Sequence, residues 1–304
     1  MYWATKGSAV PLSELGWINS TYLGMSTPDS DPMLVWGTTV DTDVMESFLA
    51  DQRSQAGLML TPMHVMVAAV AKALVQHPEF NRRVVGKRVY QYRAVNMVVP
   101  ILNTRSGEVD SKTFYDAETL SLRNIAERFW EEAQAKARGA AKARSEATAA
   151  PTLARRLNSV WQFLRLNWLH RTSRIGMFFG NRLRLPTMFR WQAPLNHSGA
   201  FVNYLGFKGA APLVAHKVAA LPLNSYSVLV TMGASQPTAV VEDGEIVIRN
   251  RAHLFVRTDH RMVNGNQTGV FVETLRQLIA NPAQLELGVT ETVTGSDHQN
   301  RVAA

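Results

Sequence analysis

Residues 252–265 read Ala-His-Leu-Phe-Val-Arg-Thr-Asp-His-Arg-Met-Val-Asn-Gly. The first seven have the pattern of a strand, Ala252–Thr258, and Asn264-Gly265 makes a turn just after Asp259-His260-Arg261. A histidine at a strand end beside a glycine turn is held rigidly while one ring nitrogen stays exposed. Its ordinary pKa of ~6.5 suits a base near neutrality. Asn264 is placed to fix the turn through its side-chain amide. Spacing alone leaves a structural or simply exposed histidine as the alternative.

Around this stretch the pattern is β-like: Ala200–Leu205, Ser225–Met232, Thr238–Val241, and Glu245–Ile248 across an Asp243-Gly244 turn. A final helix is expected over Thr268–Ile279, stopped by Asn281-Pro282. Upstream, Met33–Val40 reads as a strand, and Thr42 or Asp43 caps a helix to about Gln55. Thr61 and Pro62 open a core helix over Met63–Gln76. A hairpin around Gly86-Lys87 spans Val84–Tyr92, followed by a buried strand Ala94–Leu102 and a helix over Thr119–Arg144 starting near Ser121. Strands and helices in this mixed order point to an α/β sandwich rather than a regular βαβ wind.

Composition bounds the chemistry. The 304 residues contain no cysteine, which removes disulfides, thiolate zinc sites and a cysteine nucleophile. The formal net charge is +8, and no Asp or Glu occurs between Glu146 and Glu242, so that run presents a field that attracts phosphate groups. His64 reads as a satisfied core residue, and His77 lies at a helix end before a proline. His216 and His253 lack a second ligand at metal spacing, so no metal is expected. The N-terminus lacks a signal peptide's basic start and apolar run, and a cytoplasmic location without a membrane span is expected.

The stretch 255–266, with Leu278-Ile-Ala-Asn-Pro-Ala-Gln-Leu after it, resembles the C-terminal signature of the dihydrolipoamide acyltransferases, the catalytic cores of 2-oxoacid dehydrogenase complexes. The likeness continues in family order through Val40–Asn81, Tyr90–Val99, Gly199–Gly206, Leu229–Gly233 and Val241–Ile248. It implies a chloramphenicol acetyltransferase-like two-layer α/β sandwich with a mixed sheet, trimer-forming, with the active site between subunits. It also makes His260 the general base. Where the family usually carries Asp before the motif glycine, this chain has Asn264. Where the family has a serine that hydrogen-bonds the oxyanion, Asn203 stands in Gly199–Gly206, either as an amide donor or as a residue paired with strand backbone. Asn103 lies near a family aspartate that lines the site, and Arg261 and Gly265 are expected beside the substrate.

On this reading the fold comprises an N-terminal arm (1–33), a catalytic domain (34–287) with an arginine- and aromatic-rich insert at about 145–198, and a disordered tail (288–304). The insert fits an amphipathic helix lying on an anionic membrane surface (152–191), a lid, a docking face for an acidic acyl carrier protein, or an extra hairpin packed on the core. Nucleic-acid binding is the weaker reading, since no recognised module accompanies the arginines. The expected activity is that of a stand-alone acyltransferase with no permanently bound cofactor and no covalent acyl-enzyme. A coenzyme A or phosphopantetheine thioester is the donor, and a hydroxyl, amine or thiol accepts. The alternatives are a silent trimeric scaffold of the same fold, or a subunit served by a lipoyl domain on a separate chain.

Overall fold

The computed structural model describes residues 8–9, 33–56, 59–85, 88–102, 109–131, 198–206 and 226–286, and 134, 164 and 175 singly. Asn103, all of the insert except Leu164, Ile175 and Ser198, and the tail lie outside these. Strand β1 (Ser8–Ala9) pairs with β4 (Arg88–Gln91), which forms the expected hairpin with β3 (Arg82–Val85). The larger sheet contains β2 (Met33–Asp41), β5 (Met97–Leu102), β6 (Val109–Phe114), β7 (Ala200–Tyr204), β8 (Val228–Met232), β9 (Gln236–Glu242) and β10 (Glu245–Asp259). Its order is β2-β10-β8-β7-β5-β6, with β9 paired to β10. The pairs β5–β7 and β7–β8 are parallel and the others antiparallel, so the sheet is mixed.

Helices cover one face of that sheet. The helix α1 (Asp43–Ala56) follows β2, and α2 (Pro62–Gln76) follows Thr61. A third, α3, runs through 122–131, and α4 (Gly265–Ala280) follows β10. The second packs on β7 and against α4, which in turn lies on β2. Almost every residue of α2 from His64 to Leu74 is buried, which explains why its sequence is apolar all round rather than striped. On the strands alternation decides the face: Ala252, Leu254 and Val256 enter the core with Val228, Val230 and Met232 of β8 and with Ala200 and Val202 of β7. Phe80 stacks on Phe271 at 4.2 Å between centroids and ties α4 to the turn after α2.

Two sequence expectations are corrected. Glu245–Ile248 and Ala252–Thr258 are one 15-residue strand, because Arg249, Asn250 and Arg251 stay extended and pair with Thr238, Pro237 and Gln236 of β9. This part is a solvated ribbon, where pairing does not require an apolar alternation. The last helix begins at Gly265 rather than Thr268. The Asp243-Gly244 turn is as expected, with φ of 52° and 86°, the left-handed values of a type I′ hairpin. No helix among the described residues is long and apolar enough to cross a membrane.

Candidate active site

The reading of His260 begins with the backbone that carries it. β10 ends at Asp259, whose carbonyl accepts the amides of Met262 at 3.0 Å and Val263 at 3.3 Å, closing a tight turn. Met262 and Val263 are buried and anchor that turn in the core. His260 is half-buried, and its Nδ1 donates to the Val263 carbonyl at 2.8 Å. A carbonyl only accepts, so the proton of the neutral imidazole is on Nδ1 and the lone pair is on Nε2. The turn thus fixes the tautomer in which Nε2 can take a proton.

A buried ion pair straps the turn. The carboxylate of Asp259, 3% exposed as a residue, accepts both Nε (2.9 Å) and Nη2 (2.5 Å) of Arg261, and its Oδ1 also accepts the Arg261 amide at 3.0 Å. Bidentate geometry of this kind is directional, so it fixes both residues flanking His260. Arg261, expected beside the substrate, has its guanidinium on Asp259.

Asn264 is the N-cap of α4. Its Oδ1 accepts the Gln267 amide at 3.0 Å, and the Gln267 Oε1 accepts the Asn264 amide at 2.9 Å. This reciprocal capping box explains why the helix starts three residues earlier than its apolar periodicity predicts. Gly265 is the first helical residue, and a Cβ there would lie 3.2 Å from Cη2 of Trp36. The Trp36 Nε1 donates to Thr258 Oγ1 at 3.3 Å, so one indole braces the strand before His260 and the helix after it. The sequence reading places Arg261 beside the substrate rather than on Asp259, and it does not include Trp36 in the site. The Asn264 and Gln267 spacing is the one signal that a sequence reading could have used.

Asn203 does not meet His260 within one chain. In register, Asn203 lies beside Thr231, and Thr231 beside Phe255. Asn203 is therefore two strands, about 10 Å, across from β10, and about 17 Å along it from His260. A gap near 19 Å cannot be spanned by one reacting carbonyl, which needs both base and donor within about 3 Å.

Two other described histidines, His64 and His77, have structural environments. His64 is 5% exposed, its Nδ1 accepts the Thr61 amide at 2.8 Å, and its ring meets Phe129 edge-on at 4.7 Å. Burial pushes its pKa down to about 4. The Nε2 of His77 is 2.9 Å from Thr274 Oγ1. Among the described residues no group of three or more histidines and carboxylates is placed to hold a metal.

Residues 214–287 match the family 2-oxoacid dehydrogenases acyltransferase (catalytic domain). The chain is 24% identical over 261 residues to the chloroplastic dihydrolipoyllysine-residue acetyltransferase component 4 of the pyruvate dehydrogenase complex of Arabidopsis thaliana. That match covers 85% of this chain and 42% of the plant protein. The fold of this chain is similar to that of Azotobacter vinelandii dihydrolipoamide acetyltransferase, with a TM-score of 0.55, 16% identity, and 92% of this chain and 94% of the other covered. That structure concerns the roles of a serine, a histidine and an asparagine in the catalytic mechanism, the last two being four positions apart. A probable dihydrolipoamide acetyltransferase from Listeria monocytogenes superposes with a TM-score of 0.54 at 15% identity, covering 86% of this chain and 88% of the other.

Proposed function

We propose that this chain, a member of the 2-oxoacid dehydrogenase acyltransferase family by its C-terminal segment, is an acyltransferase in which His260 is the general base. The observation that carries the reading is the 2.8 Å bond from Nδ1 to the Val263 carbonyl, which leaves the lone pair on Nε2 at a rigid, half-buried turn. Nε2 takes the proton from the attacking hydroxyl, amine or thiol; that group adds to a thioester carbonyl; the tetrahedral intermediate collapses and expels the donor thiolate, which recovers the proton from the imidazolium. The donor is a pantetheine-type thioester, carried by coenzyme A or an acyl carrier protein. No acyl-enzyme forms, because the histidine acts on the nucleophile rather than as one.

The oxyanion needs a hydrogen-bond donor, and Asn203 supplies it from a second copy of the chain. The separation of Asn203 and His260 within one chain supports that arrangement, as does the family resemblance, which implies a trimer. Preorganised donors of this kind contribute roughly 10²–10³ in rate. The spacing of His260 and Asn264 repeats the four-residue spacing of histidine and asparagine in the Azotobacter enzyme. In this chain Asn264 acts through the turn by capping α4.

A second reading keeps the same base and takes the acceptor or donor thiol from a dihydrolipoyl group on a separate chain. It is favoured by the plant relative, a component of the pyruvate dehydrogenase complex. Single-turnover assays with acetyl- and longer acyl-coenzyme A, against dihydrolipoamide and against hydroxyl and amine acceptors, separate the two. Preference for dihydrolipoamide selects the second reading. His260→Ala is expected to lower the rate by ~10²–10⁴ with any acceptor, and an unchanged rate refutes the assignment of the base.

A further inference from the structure

Three buried polar atoms around the start of β7 and β8 make no hydrogen bond among the described residues: the hydroxyls of Ser198 and Ser227, and Oδ1 of Asn81. Ser198 is 1% exposed, Ser227 3% and Asn81 5%. They belong to one place. The Ser227 amide donates to the Gly199 carbonyl at 2.8 Å, and a Cβ on Gly199 would lie 2.7 Å from Asn81 Oδ1 and 3.2 Å from Cδ2 of Tyr92. Glycine at 199 is what lets Asn81 and Tyr92 approach. Buried polar atoms are nearly always bonded, so three together call for a further partner.

A cation stands among them. Arg83 of β3 is 4% exposed, and its guanidinium donates to the Tyr92 hydroxyl. Tyr226 brings a second phenol within the field of Arg83, and its ring lies 5.3 Å from that of Phe201. Burial raises the pKa of both phenols while Arg83 pulls them the other way, so both stay protonated and can donate. Phe201 and Tyr226 are half-buried and form the side of the cluster nearest solvent.

The cluster adjoins His260. Alternation turns Val228 and Val256 toward the helices, and so turns Ser227 and Arg257 to the other face. Val228 is paired with Thr258, so Ser227 stands beside Asp259, about 6 Å from His260 between Cα positions. The Asp259 carboxylate is neutralised by Arg261, and Arg257, 5% exposed, adds a second guanidinium to this face.

We infer that this cluster is an oxyanion-binding subsite for the acyl acceptor, and that the acceptor carries a carboxylate, as a small hydroxy or amino acid does. Arg83 supplies the charge, and the hydroxyls of Ser198, Ser227 and Tyr226 donate to the carboxylate oxygens. Asn81 Oδ1 can only accept, so it meets a protonated group of the ligand and not its carboxylate. The assignment to the acceptor rests on the base proposed above. His260 takes the acceptor's proton, so a molecule anchored beside it in the same chain brings its own nucleophile to Nε2.

The test is equilibrium binding, by calorimetry, of glycolate, lactate and hydroxybutyrate, each against its own uncharged amide. Wild type is expected to bind at least one acid about 10- to 100-fold more tightly than the amide. Arg83→Gln should remove that preference. Ser227→Ala should weaken acid binding about threefold or more without lowering the urea midpoint, because the hydroxyl removed bonds nothing in the free protein. That variant decides the matter if the Arg83→Gln chain fails to fold. Equal binding of every acid and its amide, or a Ser227→Ala chain that binds acids like wild type, overturns the inference. Tighter binding of glycerol phosphate than of any acid overturns the carboxylate. An Arg83-dependent preference for succinyl- over acetyl-coenzyme A overturns the acceptor as its source. Binding is read without turnover, so an unchanged rate in His260→Ala removes the base and leaves the carboxylate site, while absence of the acid preference removes the site and leaves the base.

Discussion

Replacing Asn264 separates its two candidate roles, as a helix cap and as a group that meets the substrate. In Asn264→Ala the Gln267 amide loses its 3.0 Å acceptor, while the return bond from the Asn264 backbone amide to Gln267 Oε1 survives. The loss of one cap bond costs about 1 kcal/mol, within a range of roughly 0.5–2. For a domain of this size that lowers Tm by about 2–4 °C. Asn264→Ser restores an oxygen at the cap and should return the stability to within a few tenths of a kcal/mol of wild type. Thermal unfolding read together with steady-state turnover makes the comparison. If Asn264 acts only by positioning the His260 turn, Ser rescues kcat along with Tm. Wild-type stability in the alanine variant would refute the capping argument. A serine variant that regains Tm while kcat stays at the alanine level would show that the amide itself contacts the reacting group.

Three further perturbations follow from named contacts. Arg261→Ala leaves the buried Asp259 carboxylate without its bidentate partner, which should destabilise the fold by about 3–5 kcal/mol in urea titration; Arg261→Lys should recover only part, since an ammonium cannot match the fork. An alanine variant as stable as wild type would show that the pair does not brace the turn. His64 has a folded pKa of about 4 against 6.5 unfolded, so the unfolded chain binds the extra proton first as pH falls. Its contribution is complete above pH 6.5 and is lost toward pH 4, by about 3 kcal/mol. His64→Gln keeps an acceptor for Thr61 and should flatten that part of the pH–stability curve; an unchanged curve contradicts the burial argument. Gly265→Ala must displace Trp36 by a few tenths of an ångström, and a shift in Trp36 fluorescence with a lower kcat is expected; unaltered emission would remove the indole from the site.

The parts of the molecule that were legible in sequence are those governed by local periodicity or local turn chemistry. The apolar run of α2 after Thr61-Pro62, the Asp243-Gly244 turn, and the strand leading into His260 all belong to this class. His64 was read as a satisfied core residue, and the Thr61 amide and Phe129 ring satisfy it. The start of α4 was misplaced because Gly265, Asn266 and Gln267 carry no apolar stripe, although the cap and its partner three residues later were present to be read. Asp259 and Arg261 are two apart in a turn, a spacing that no helical or strand template marks. The separation of Asn203 from His260 is a matter of register across three strands, and no local reading contains it. The family resemblance supplied the expectation that these two residues serve one site.

That shared site is the central claim, and complementation between two inactive variants tests it most directly. His260→Ala and Asn203→Ala chains, carrying different tags, would be co-expressed and the mixed oligomers isolated through both tags. In a mixed trimer, whichever variant is in the majority, one of the three interfaces combines an intact His260 with an intact Asn203, so the isolated mixed oligomers should recover about one third of wild-type activity per site. Each variant alone should remain inactive. Mixed oligomers no more active than the two parents would contradict a base from one copy facing an oxyanion donor from the next.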